Sequence, residues 1–175
     1  GRGSLNGEAF QHAVSALAHD NEALRTEFFD TDDGVRQRII EVMPLDQVVE
    51  FWTDPIQQDE CLREAALFSR QPFCLNRAPL WRIRIIPIAS GDTLVLIALH
   101  HSIADGGSTR ALSEALSRLY GKTVFDRIQS SDESVVATAE RAFQYRDYVV
   151  WLQQWLQSDQ GEAALEFWKQ TYAIP

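Results

Sequence analysis

The stretch TLVLIAL, residues 93–99, constrains the fold more than any other, because every side chain from 94 to 99 is apolar. Seven residues suit a strand, and a strand polar on neither face is predicted to be central and covered on both sides. Ser90-Gly91-Asp92 turns the chain into it from PLWRIRIIPIA, where Trp81, Ile83 and Ile85 alternate with Arg82 and Arg84. That alternation predicts a second strand with one wetter face. Beyond the apolar run come His100 and His101, then Asp105, Gly106 and Gly107. A helical stripe follows at Ala111/Leu112, Ala115/Leu116 and Leu119. A covered strand therefore delivers two histidines to a strand-to-helix loop.

The remaining segments alternate in the same way. GEAFQHAVSALAHDNEAL places Ala9/Phe10, Ala13/Val14 and Leu17 on one helical stripe. TEFFDTDDGVRQRIIEVM reads as two strands around a turn at Asp32-Asp33-Gly34, and VVEFW as a short strand. IQQDECLREAALFSR is helical by pattern and stops before Pro72. Residues 121–140 are polar, with a loop at Ser130-Ser131-Asp132, and two aromatic-rich helices follow in ERAFQYRDYVVWLQQWLQ and GEAALEFWKQTYA. There is no internal repeat. At 175 residues, 45% of them hydrophobic, the chain is one domain-sized α/β unit with enough apolar surface for a core.

Charge and cysteine usage narrow the function. A formal charge of -9 argues against nucleic acid or an anionic membrane as the main partner, since both need a basic surface. No apolar run approaches the roughly 20 residues of a membrane span, and the first residues carry no signal-peptide pattern. Cys61 and Cys74 show neither CxxC nor Cys/His ligand spacing. Two reduced thiols in a cytoplasmic protein are expected.

Adjacent strand residues face opposite sides, so His100 and His101 cannot share one task. One is expected in the packing and the other in whatever cavity the loop borders. The residues alone leave three readings open. The pair can be ordinary core or surface histidines, with Asp105 as N-cap of the next helix. His101 and Asp105 can be metal ligands, although no third ligand converges and His12 and His19 lie on a helix without partner spacing; no metal is expected. Or one imidazole serves catalysis.

HHSIADG, residues 100–106, resembles the HHxxxDG signature of condensation domains in non-ribosomal peptide synthetases, members of the chloramphenicol-acetyltransferase-like superfamily. NEALRTEF, residues 21–28, is similar to the family's upstream RHExLRTxF segment, and YRDYVVW, residues 145–151, to its downstream YxDYAVW. PLWRIRII and FWKQTYAIP also fit. The departures are Asp20 and Asn21, where the family usually has Arg-His. The family's first motif and those beyond YxDYAVW have no counterpart. The resemblance therefore implies that residues 1–175 form the N-terminal lobe of a two-lobed domain whose C-terminal lobe is absent. The expected fold is an α/β lobe of chloramphenicol-acetyltransferase-like type, a mixed, largely antiparallel sheet flanked by helices.

The implied reaction is attack of an amine on a thioester, with both reactants tethered to carrier domains by 4′-phosphopantetheine and no cofactor bound by this chain itself. An α-amine of pKa about 8 must shed protons to become an amide, and an imidazole near pKa 6.5 can take one without staying charged. The resemblance assigns this task to His101, as general base or as the group that orients the amine. It implies that Asp105 pairs with Arg25 and ties the loop down, while His100 packs beneath it. Gly106 and Gly107 are expected to permit a tight turn and bare backbone. With Ser108 they line the pantetheine channel, either as clearance or as helix N-terminal amides facing an oxyanion. The expected partners are peptidyl or acyl carrier domains, the C-terminal lobe and neighbouring synthetase domains. The lobe alone is expected to be inactive and to self-associate. Trp151, Trp155 and Trp168 read as packing, and Arg63, Arg70 and Arg77 as solvated charges. Three alternatives stay open: an epimerisation domain, a freestanding ester- or amide-forming acyltransferase, and a non-catalytic recruitment domain. Intact His101 and Asp105 weigh against the last.

Overall fold

The computed structural model describes residues 5–129 and 143–173, and the chain divides into two compact units, Gly1–Thr138 and Ala139–Pro175. In the first, helix α1 spans Gly7–Asp20 and buries Ala9, Phe10, Ala13, Val14, Leu17 and Ala18, the stripe its sequence carries. Asn6 caps its start by accepting from the Ala9 amide (2.9 Å), and Asn21 closes its end by donating to the Leu17 carbonyl (2.7 Å). A 3₁₀ turn at Glu22–Arg25 leads into a hairpin of β1 (Thr26–Thr31) and β2 (Gly34–Ile39). Gly34 stands just past the two-residue turn with φ of 107°, a conformation that suits glycine.

The main sheet follows. The short helix α2 (Leu45–Val48) runs straight into β3 (Val49–Phe51). Helix α3 (Cys61–Ser69) precedes β4 (Trp81–Pro87), β5 (Thr93–Leu99) and the long helix α4 (Gly106–Gln129). The strand order is β3-β4-β5, parallel across the first pair and antiparallel across the second. Trp81, Ile83, Ile85, Val95, Ile97 and Leu99 lie on the core side with α1 residues and with Leu112, Leu116 and Leu119 of α4. The Trp81 indole donates to the Leu24 carbonyl (3.0 Å), tying the sheet to the 3₁₀ turn. Phe68 of α3 covers the other side of β4.

Three expectations need correction. Among the described residues β4, not β5, is the central strand; β5 is an edge there, half-buried at all seven positions. Nor is the arginine face of β4 wet. Arg84 is only 8% exposed, lies 5.0 Å from the ring centroids of Trp52 and Phe68, and donates to Glu50 (2.7 Å). A planar, weakly hydrated guanidinium can be sealed under aromatic rings in this way. The helix expected from residue 56 starts only at Cys61. Ile56 instead bridges Ile88 in parallel, and a Gln57–Glu60 capping box turns the chain into the 3₁₀ turn Gln58–Glu60 that precedes the helix. The polar stretch after Gly121 is helical to Gln129, and the loop expected at Ser130-Ser131-Asp132 lies outside the described residues.

The second unit is a helical hairpin of α5 (Tyr145–Leu156) and α6 (Asp159–Thr171). Ser158 caps α6 by accepting from the Gly161 amide (3.3 Å). Gly161 is sterically required, since a Cβ there would lie 2.3 Å from the Trp155 carbonyl oxygen. The tryptophans are not the single packed cluster expected. Trp151 stacks on Trp155, Trp168 stacks on Tyr172, and Trp151 and Trp168 are each about half exposed. No helix among the described residues is long and apolar enough to cross a membrane.

Candidate active site at the end of strand β5

The β4–β5 ladder does not stop at Leu99. The His100 amide donates to the Leu80 carbonyl (2.8 Å), which adds one rung and holds the first histidine rigidly at the sheet's end. Its ring is half-buried and meets the Phe73 ring edge-on, centroids 6.1 Å apart. Nδ1 accepts from the Ser102 amide (3.1 Å) and lies 2.9 Å from the Ser102 hydroxyl. An accepting Nδ1 leaves the neutral ring's proton on Nε2.

The Ile103 amide donates to the His100 carbonyl (3.1 Å), closing a turn with His101 and Ser102 at its tip. His101 is exposed, and among the described residues its imidazole has no hydrogen bond, ion pair or ring contact. His100 is thus committed to packing, while His101, at the tip of the turn, is exposed. An imidazole free on both nitrogens can accept a proton or hold an amine.

The structure does not bring Arg25 and Asp105 together. Arg25 donates through Nε to the Ala18 carbonyl (2.9 Å), and through its terminal nitrogens to the carbonyls of Ile40 (2.6 Å) and His19 (3.3 Å). It thus fastens the end of α1 to the end of β2, answering the orphan carbonyls a helix terminus leaves. Asp105 is the N-cap of α4. Its Oδ1 accepts from the Ser108 amide (2.8 Å) and hydroxyl (2.7 Å), and the Ser108 hydroxyl accepts in turn from the Asp105 amide (3.2 Å). This reciprocal box is local, spanning four residues from Asp105 to Ser108. Hydrogen bonds from the Ser108 hydroxyl and amide, helped by the Gly107 amide, hold the Asp105 carboxyl below the ordinary aspartate range.

Two further expectations change. Gly106 and Gly107 do not adopt the left-handed conformation that a glycine-dependent tight turn needs. A Cβ on Gly106 would meet open space, and one on Gly107 only the Asp105 carboxylate at 3.5 Å. The chain's own packing does not require glycine at either position. The Ser108 amide, one candidate for an oxyanion donor, is already engaged by Asp105. Among the described residues no three His, Cys, Asp or Glu side chains converge as a metal site. Phe73 and Ser102, which fix His100, carried no periodic signal; only the three-dimensional return of the α3–β4 connection brings Phe73 to the histidine.

Comparison with known proteins places this chain in a family. The family described as Condensation domain matches residues 2–174. Gramicidin S synthase 2 of Aneurinibacillus migulanus is 31% identical over 172 residues, covering 98% of this chain and 3% of that protein. The X-domain from teicoplanin biosynthesis superposes with a TM-score of 0.77 at 25% identity, over 97% of this chain and 36% of that one. The starter condensation domain of rhizomide synthetase superposes with a TM-score of 0.72 at 19% identity, over 97% and 40% respectively. The fold is thus that of a chloramphenicol-acetyltransferase-like condensation domain, and the chain spans about two fifths of the solved domains it matches.

Proposed function

The chain belongs to the condensation-domain family, and from that membership we propose that it is the N-terminal lobe of a domain that forms amide bonds in non-ribosomal peptide synthesis. The donor is an acyl or aminoacyl thioester and the acceptor an aminoacyl amine, each delivered on the 4′-phosphopantetheine arm of a carrier domain. The observation that carries the reading is the unpartnered, exposed imidazole of His101 at a strand end that His100 holds rigid. His101 takes the proton the amine loses as it attacks the thioester carbonyl, the C–S bond breaks, and the leaving thiolate receives that proton from the imidazolium to become the free thiol. Gly106 and Gly107, five and six residues further on, leave bare backbone where the chain's own packing asks for none, which suits clearance for a pantetheine arm. Carrier domains, a C-terminal lobe and neighbouring synthetase domains are the partners, and the setting is cytoplasmic. Without the opposite lobe neither arm is held in a near-attack position, so this lobe alone is inactive.

The test is His101→Ala in a polypeptide that supplies the whole domain, assayed in single turnover with loaded carrier domains. A fall of roughly 10²- to 10⁴-fold with an unchanged melting temperature is expected. A near-normal rate would remove His101 from the chemistry.

A further inference from the structure

His100 and Arg82 lie on the same face of the sheet. Arg82 is paired with Ala98 in the β4–β5 register, and His100 stands opposite Leu80, so the two are diagonal neighbours. Between them sits the ring of Phe73. The Arg82 guanidinium lies over that ring at 4.1 Å from its centroid, and the ring's edge meets His100. The same guanidinium donates to the carbonyls of Phe68 (3.0 Å), Gln71 and Pro72 (3.4 Å), gathering the end of α3 and the connection that leads to Phe73. Its Nε is buried without a hydrogen-bond partner among the described residues. A buried N–H left unanswered is a cost that packing alone gives no reason to keep.

These contacts form one chain. Arg82 flattens Phe73 against the sheet, Phe73 bounds His100, and Nδ1 of His100 receives the Ser102 amide that shapes the turn presenting His101. We propose that Arg82, acting through Phe73 and His100, is a positioning residue for His101. The inference rests on the reading of His101 as the catalytic group, but its geometric part stands apart from that reading. Lysine would keep the charge at position 82 while losing the planar stack and the fork that reaches three carbonyls.

Two measurements decide it. On this chain, labelled imidazole NMR resolves His12, His19, His100 and His101. Arg82→Lys and, independently, Phe73→Leu are expected to shift the His100 resonances and broaden those of His101, leaving His12 and His19 unchanged. His100 signals that do not move in either variant would overturn the proposal. In a polypeptide supplying the whole domain, Arg82→Lys is expected to lower kcat by roughly 10- to 100-fold with KM unchanged, the scale of a misplaced catalytic group. The same substitution in a His101→Ala background is expected to cost nothing further. An equal loss in both backgrounds would show that Arg82 supports the fold generally and overturn the proposal. Normal turnover by His101→Ala itself would instead overturn the catalytic reading, and the NMR comparison would still decide whether Arg82 and Phe73 hold His100.

Discussion

β4 and β5 pair along their whole length, from Trp81↔Leu99 to Pro87↔Thr93, yet one is sealed and the other open. β4 has strands on both sides and buries Trp81, Ile83, Arg84, Ile85 and Ile86. β5 carries no charge and buries no residue fully. Placement in the sheet, not side-chain polarity, sets this difference. Arg84 is sealed, and Arg82 half-buried, because Trp52, Phe68 and Phe73 supply flat aromatic covers. The hydrocarbon of β5 stays half-open because nothing among the described residues pairs with its outer edge. The phase of the ladder is fixed by the bonds from His100 to Leu80 and from Ile88 to Asp92. Residues 94, 96 and 98 of β5 bond to β4, and the amides and carbonyls of Val95, Ile97 and Leu99 point outward.

One rung isolates the contrast. Ile83 and Ile97 are direct partners with the same side chain, but Ile83 is 1% exposed and Ile97 half-buried. Ile83→Ala should cost about 2–5 kcal/mol, the range for a buried isoleucine truncated in a close-packed core. Ile97→Ala should cost about 1–2 kcal/mol, since less apolar area leaves water to begin with. Urea unfolding of both variants measures the gap. Equal losses would mean that β5 is as sealed as β4.

The start of β4 is anchored by a charge, and that anchor titrates. Glu27 of β1 accepts from the Ala78 amide (3.0 Å) and from Arg38 (2.8 Å to Nε). The Ala78 amide first, and Arg38 second, hold its carboxyl below the ordinary glutamate value against the opposing effect of burial. A depressed native pKa means that the unfolded chain binds the proton more tightly. The stabilisation is therefore whole above the unfolded glutamate value and is lost as pH falls through the lower native one. Glu27→Gln should flatten the acid limb of stability against pH relative to the parent protein, read as melting temperature across that window. An unchanged acid limb would show that the carboxylate contributes nothing there.

Much of this was legible from residues whose signal is local. The stripe of α1 and the Asp32-Asp33-Gly34 hairpin follow from period and turn chemistry alone. What failed depended on partners distant in the chain. Arg82 and Arg84 read as a wet face because Trp52, Phe68 and Phe73 lie on other elements, and no spacing announces that they cover β4. Arg25 read as the partner of Asp105 through the family resemblance, whereas its fork is taken by carbonyls at Ala18, His19 and Ile40. Asp105 had its local alternative, the N-cap, within reach from the beginning.

The smallest expected effect on stability tests the open edge itself. An apolar strand with outward amides and no charge, proline or bulge invites another strand to pair with it. A second copy suits this edge. An antiparallel pairing centred on Ile97 sets Val95 against Leu99 in both directions, so every outward group between them finds a partner and no like charges face each other despite the chain's charge of -9. Val95→Pro removes an amide that points away from β4, so no ladder bond is lost and the cost should be about 1 kcal/mol. The same change at Leu96, whose amide faces β4, is the control that does break a ladder bond. Sedimentation at rising concentration should show the parent chain associating and Val95→Pro remaining a monomer with a near-native melt. Association of Val95→Pro as strong as that of the parent would place the contact elsewhere, on apolar surface such as the aromatic face of α5, and β5 would then be an edge that is open but unused.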